Sequence, residues 1–147
     1  MLVIGKKMKK GKLLELYRQK FWLINPLDKQ RYLFKIPKEN TGEAWAEVIA
    51  SKIGQLMGLK TMKADLAVYN GILGILSENF VHDDKEFYEG GDLFFTIAED
   101  FDRYSLKYYD FPNIIKVLSE FSLERDFIQI PIFDALIANQ DRHCDNW

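Results

Sequence analysis

Ten residues of the sequence, ANQDRHCDNW (Ala138 to Trp147), gather two aspartates, two asparagines, an arginine, a histidine and a cysteine. Asp141 and Asn146 stand five positions apart, directly after an apolar stretch, IFDALIAN. An aspartate can accept or orient the proton of an attacking hydroxyl, and an asparagine carbonyl one turn away can coordinate a Mg2+ ion on phosphates. Phosphoryl transfer is mostly positioning and charge neutralisation, so two such groups must face one site together. Asp141, His143 and Asn146 are therefore the candidate catalytic residues, with Asn146 the candidate metal ligand. Two other chemistries fit less well. A zinc site on His143, Cys144 and Asp145 needs further soft ligands, but the only other histidine is His82 and there is no second cysteine. A Cys–His nucleophile is disfavoured because adjacent residues seldom point at each other. Cys144 is read as incidental to the chemistry.

An Asp-x-x-x-x-Asn loop behind an apolar helix has the spacing of a protein-kinase catalytic loop, and that chemistry also needs a lysine on an earlier strand. In YLFKI, strand alternation puts Tyr32, Phe34 and Ile36 on one face and Leu33 and Lys35 on the other. A lysine flanked by apolar strand residues is unlike an ordinary solvated one. Its expected carboxylate partner is Glu47 in the following helix, with Glu43 in the first turn ranked second. Glu47 shares its face with Ala50, Gly54 and Gly58, small residues that let a helix approach a sheet closely.

The elements that must hold these groups read in order along the chain. Phe21–Asn25 and Arg31–Ile36 suggest a hairpin, and a helix then starts near a cap at Asn40 or Thr41 and stops at Gly58. Its apolar stripe is Ala46, Ile49, Ile53 and Leu56 to Met57. Ala64–Tyr69 and Ile72–Leu76 flank Asn70-Gly71, a strong two-residue hairpin signal. Leu93–Ala98 (LFFTIA) reads as a further strand. Helices are expected over about 112–121 and 123–138, the second buried, with Pro131 bending or starting it. The pattern is α+β, sheet-rich in front and helical behind.

At 147 residues, with 48% apolar and 29% charged residues, the chain has a globular balance and can bury a core. Of its 20 basic and 22 acidic residues, seven bases but one acid fall within 1–20, leaving 13 against 21 elsewhere. A basic arm over 1–19 is therefore expected, solvated and partly disordered. The body's acidity argues against direct nucleic-acid binding. No apolar run approaches the roughly 20 residues that span a bilayer. The start MLVIGKKMKKGK reverses the order of a secretory signal, and one cysteine suits a reducing compartment. A cytoplasmic chain without a membrane segment is expected.

The runs RYLFKIPKENTGEAWAEVIASKIGQLMGL, DLAVYNGILGILSENF and IFDALIANQDRHCDNW resemble the HipA family of bacterial serine/threonine kinases, over about residues 20–147. The resemblance implies a protein-kinase-like fold: a nucleotide-binding, sheet-rich lobe over 20–100 and the first helices of the helical lobe over 101–147. It implies ATP and Mg2+ as cofactors, Lys35 as the ATP-binding lysine, Glu47 as its helix partner, Asp141 as catalytic aspartate and Asn146 as metal ligand. FTIAEDFDR is similar to the strand and hinge that receive adenine, which points to Glu99 to Phe101 for base contacts. Family members often act as toxins of toxin–antitoxin pairs, so a helix-turn-helix antitoxin is an implied partner. Three departures stand out. A second metal-binding aspartate does not occur within these residues, no glycine-rich loop precedes Lys35 (Lys20 could contact phosphates there), and a basic arm is expected in place of the family's extra N-terminal subdomain. By itself the 147-residue chain is therefore expected to be inactive or nearly so. The same motif also resembles the loops of lipid and small-molecule kinases. A non-catalytic kinase remnant acting as a binding module is the reading from another class.

Overall fold

The computed structural model describes residues 2–4, 20–27, 29–81 and 85–147, the first three as backbone alone. Lys6, Lys7, Lys9, Lys10, Lys12, Arg18 and His82 lie outside the described residues. The chain forms two compact units, Met1–His82 and Asp83–Trp147. Among the described residues no helix is long and apolar enough to cross a membrane.

Among its described residues the first unit is a five-stranded sheet with one helix. Its strands are β1 (Leu2–Ile4), β2 (Lys20–Ile24), β3 (Arg31–Lys35), β4 (Ala64–Tyr69) and β5 (Ile72–Glu78), in the spatial order β1-β4-β5-β3-β2. All neighbours are antiparallel except β1, which pairs parallel to β4, Leu2 opposite Ala67. Part of the expected N-terminal arm is thus an edge strand. Both expected hairpins form. Asn70 and Gly71 take left-handed backbone (φ 49° and 82°), the pairing that matches a tight turn to strand twist.

Alternation sorts the side chains as the sequence predicts. Phe21, Leu23, Tyr32, Phe34, Ala67, Tyr69 and Leu76 form a core on one face of the sheet. The Phe21, Phe34 and Tyr69 rings lie 5.2–5.7 Å apart, contacts that contribute about 0.5–1.5 kcal/mol each beyond their burial. Gly74 makes room for this packing: a Cβ there would sit 2.4 Å from the Phe34 ring. The other face carries Lys35 and Ile75 and receives helix α1 (Glu43–Leu56).

Helix α1 departs from its expected orientation. Ile49 and Leu56, members of the apolar stripe, are 54% and 88% exposed, whereas Ala44, Ser51 and Gly54 are buried. The sheet side selects small residues because the helix lies close: a Cβ on Gly54 would meet Thr61 at 2.3 Å. Ser51 fastens the contact, donating to the Met62 carbonyl at 2.7 Å and accepting from the Ala64 N–H at 3.0 Å. The N-cap is Gly42 rather than Asn40 or Thr41, with no side-chain capping bond. The stop is as expected. Gly58 turns left-handed (φ 74°), its N–H reaching the Gln55 carbonyl while Leu59 N–H reaches that of Gly54.

The second unit is helical: α2 (Gly90–Leu93), a 3-10 turn at Phe94–Thr96, α3 (Phe111–Ser119) and α4 (Glu124–Ile137). Here the expected strand at Leu93–Ala98 is overturned. An unbroken apolar run suits a strand or a helix, and local capping decides. Glu89 and Asp92 form a reciprocal capping box that starts a helical turn, and Phe94 is buried while Phe95 is 48% exposed. The segment packs within the second unit, whose boundary lies ahead of residue 100. Asp110 caps α3 through the Asn113 N–H, and Ile114, Val117 and Leu118 face inward. Helix α4 buries only Phe127 and Asp134, so it is less enclosed than its composition suggests; Pro131 sits inside it. The core of this unit is Phe94, Phe101, Ile114, Val117, Leu118, Phe127 and Cys144.

Candidate active site

In the first unit, β3 delivers Lys35 to the face that α1 covers, and α1 returns two carboxylates to it. Lys35 Nζ lies 2.7 Å from Glu43 Oε1 and also pairs with Glu47. Both candidate partners therefore reach the lysine, and Glu43, placed second from sequence, is the less exposed of the two. Glu43 also accepts from the Lys38 N–H at 2.8 Å, which ties the approach to the helix to the same centre. Burial works against the charge on Lys35, but Glu43 and Glu47 outweigh it and hold the ammonium above its ordinary value. Lys20 stands opposite Lys35 across the β2–β3 pair, on the same sheet face, and is exposed. Directly opposed strand residues have Cβ atoms about 4.5–5.5 Å apart, so the two lysines leave the sheet side by side.

In the second unit, the end of α4 presents the polar loop. Ala138 takes a left-handed conformation (φ 54°) and ends the helix, its N–H returning to the Asp134 carbonyl. Asp134, almost wholly buried, accepts from Arg142 Nε and Nη2, both at 2.7 Å, and from Asn139 Nδ2 at 2.9 Å. Burial alone would raise the Asp134 carboxyl, yet Arg142 and Asn139 hold it below the ordinary carboxylate range; Asp134 in turn raises Arg142. This fork anchors the loop from inside. Arg142 Nη1 donates onward to the Asn146 carbonyl, and Asn146 Nδ2 donates to the Asp141 carbonyl. The two predicted residues are thereby brought together. The amide of Asn146 is oriented with Nδ2 toward the loop, leaving Oδ1 as its acceptor. Asp141 is exposed, its N–H held by Asn139 Oδ1 at 3.2 Å. His143 turns Nδ1 to the Asp145 N–H at 3.3 Å, so that nitrogen serves its own loop.

Cys144 has a structural place. It is 1% exposed and belongs to the core, which makes it the plug that seats the loop. Burial, and then neighbouring Asp145, push its thiol up to about 11, so it stays protonated at neutral pH. His143, Cys144 and Asp145 do gather their ligand atoms within 4.8 Å. A protonated thiol and a carboxylate engaged by Arg103 make that a poor metal set.

The loop's outer side rests on α2. Gly90 N–H donates to the Trp147 carbonyl at 2.6 Å and Gly91 N–H to the Cys144 carbonyl at 2.8 Å. The Trp147 ring packs on Phe94 and Phe127 and donates Nε1–H to Tyr109 at 2.7 Å. Of the hinge candidates, Glu99 lines an open hollow with Asp100, Tyr108, Asn113 and Lys116. Phe101 is buried and stacks on Phe94 at 4.7 Å, with its N–H bound to the Ala98 carbonyl. Its side chain is thus committed to the core. Sequence reading missed Asp134, Arg142 and Arg103. An acid inside an apolar helix was the available signal for Asp134.

These elements define a kinase-like fold. The crystal structure of a Helicobacter pylori proinflammatory kinase, CtkA, superposes with a TM-score of 0.77 at 22% identity. The match covers 96% of this chain and 50% of that one, so the chain spans about half the length of that kinase. No protein-family model matches the sequence, and no curated protein does.

Proposed function

We propose that the chain is the nucleotide-binding and catalytic-loop portion of an ATP-dependent phosphotransferase, a protein serine/threonine kinase of the HipA type. The observation that carries this reading is the ion pair of Lys35 with Glu47 and Glu43, formed between β3 and α1 in a kinase-like fold. In this reading Lys35 holds the α- and β-phosphates of ATP, with Lys20 beside it as added positive charge. The acids of α1 keep Lys35 extended and charged. Asp141 takes the proton of the acceptor hydroxyl as the γ-phosphoryl group of ATP passes to that oxygen, the bond from the γ-phosphorus to the β–γ bridging oxygen breaks and ADP leaves. Exposed oxygens at Asn146 and Asp141 are hard donors, which fit Mg2+ rather than a soft metal. When bound, Mg2+ neutralises charge on the phosphates, and Asn146 is the residue that holds it. Glu99 to Phe101 are assigned to the adenine, Phe101 through its carbonyl, since its ring and N–H are engaged within the unit. Supported by the same motif resemblance, a helix-turn-helix antitoxin is the proposed partner and the cytoplasm the proposed location.

The test is transfer of labelled γ-phosphate by the full natural protein to itself and to a panel of protein, lipid and small-molecule acceptors. Asp141→Ala is expected to lower the rate by about 10²–10⁴-fold, the usual reach of general acid–base groups. Lys35→Met is expected to weaken ATP binding with the fold intact. Transfer that survives Asp141→Ala unchanged sinks the assignment, and exclusive transfer to a lipid or small molecule moves the protein out of the HipA type.

A further inference from the structure

Beside the Gly90 and Gly91 backbone hydrogen bonds, one guanidinium ties the side chains on the outer side of the polar loop. Arg103 Nη1 donates to Glu89 Oε2 at 2.7 Å and to Asp145, and its Nη2 donates to Asp92. Glu89 and Asp92 are the reciprocal caps of α2, while Asp145 adjoins Asn146 in the loop. The glycines between the caps let the loop come this close. A Cβ on Gly90 would lie 2.2 Å from the Trp147 ring, and one on Gly91 3.0 Å from both Arg103 and Asp145.

Three carboxylates around one cation carry an excess of negative charge. A lone surface ion pair contributes little, but here the cation also separates acids that would otherwise repel. Without Arg103, Asp145 would lie near Glu89 and Asp92 unshielded, and the Gly90 and Gly91 hydrogen bonds would have to hold the loop against that repulsion.

We propose that Arg103 is a positioning residue for the phosphotransfer reaction: by clasping Asp145 to Glu89 and Asp92 it fixes residues 143–147 against α2 and so sets where Asn146 presents its metal-binding oxygen. The inference rests on the phosphotransfer reading above and names a residue that acts through Asn146, touching neither substrate nor metal.

The experiment compares the full natural protein with its Arg103→Ala, Arg103→Lys and Arg103→Ala/Asp92→Asn variants. Hydrogen exchange is read on peptides covering 139–147 and 111–119, and phosphate transfer is read as a function of Mg2+ concentration. In Arg103→Ala, exchange over 139–147 should speed up at least tenfold with 111–119 unchanged. The Mg2+ concentration for half-maximal transfer should rise about tenfold, while the KM for the acceptor stays put. Arg103→Lys should fall between, because lysine keeps the charge but not the fork. Removing one repelling acid with Asp92→Asn should recover part of the Mg2+ dependence, and added salt should do the same by screening.

Unchanged loop exchange, exchange raised equally in 111–119, or a Mg2+ dependence identical to that of the natural protein overturns the proposal. Should Arg103→Ala fail to fold, Arg103→Lys decides on the same two readings. A natural protein that folds but transfers no phosphate sinks the phosphotransfer reading instead. Loosened exchange would then describe a fastening with no reaction to serve, and the positioning role falls with it.

Discussion

Replacing Asp134 with alanine tests the internal anchor of the polar loop. The carboxylate is 9% exposed and takes two hydrogen bonds from Arg142 and one from Asn139, all between 2.7 and 2.9 Å. Removing one member of a fully buried ion pair costs about 3–5 kcal/mol, because the partner charge is stranded. Here the Arg142 side chain is 31% exposed and keeps its bond to the Asn146 carbonyl, so water recovers part of that loss. About 2–4 kcal/mol is therefore expected for Asp134→Ala, and roughly half that for Asp134→Asn, which keeps the shape but not the charge. Urea denaturation followed by intrinsic fluorescence would measure both. Arg142→Ala and the double variant complete a cycle whose coupling should be about 2 kcal/mol. The pH dependence has a definite sign. The Asp134 carboxyl is depressed in the folded protein, so its stabilisation is present above about pH 4, the unfolded value. It is lost as pH falls through the lower folded value, and Asp134→Asn should remove that acid-side loss. A cost below about 1 kcal/mol for Asp134→Ala, with coupling near zero, would refute the reasoning.

Three further substitutions probe the close approaches. Gly90→Ala puts a Cβ into the Trp147 ring and should cost about 1–3 kcal/mol, read by thermal melting, with a smaller penalty in a Trp147→Ala background. Gly54→Ala should cost a similar amount through its clash with Thr61, and Thr61→Ser should restore part by removing the nearest atom, Cγ2. Ser51→Ala removes the acceptor of the buried Ala64 N–H and should destabilise the first unit by about 1–3 kcal/mol in urea titrations.

What was legible in the sequence was local. Asn70-Gly71 specifies its own turn, Gly58 its own helix stop, and period-two alternation its own sheet faces, so Lys35 could be placed opposite Phe34 without knowing any neighbour. The Asp141–Asn146 spacing is equally local, and one helix-to-loop transition brings the pair together. The rest depends on partners distant in sequence. Leu93–Ala98 has no period that separates strand from helix, and the Glu89–Asp92 box decides it. The inner face of α1 is set by how closely the helix lies on the sheet, which rewards glycine and serine over isoleucine. Arg103 meets Asp145 across 42 positions, a pairing invisible to any window along the chain. Asp134 was visible as an acid among apolar residues, but its partner Arg142 was read only as part of the motif.

The buried cysteine gives the protein a built-in clock. Cys144 is the only thiol in the sequence, it sits in the loop that bears Asp141 and Asn146, and its sulfur is sealed in a core and kept protonated. A thiol reagent can reach it only when that loop lifts away. The labelling rate in the native protein, divided by the rate in denaturant at the same pH, therefore reports the fraction of time the loop spends open. That ratio needs no tag, no substrate and no knowledge of the acceptor. It would follow how nucleotide, salt or a distant substitution shifts the loop's residence on its seat.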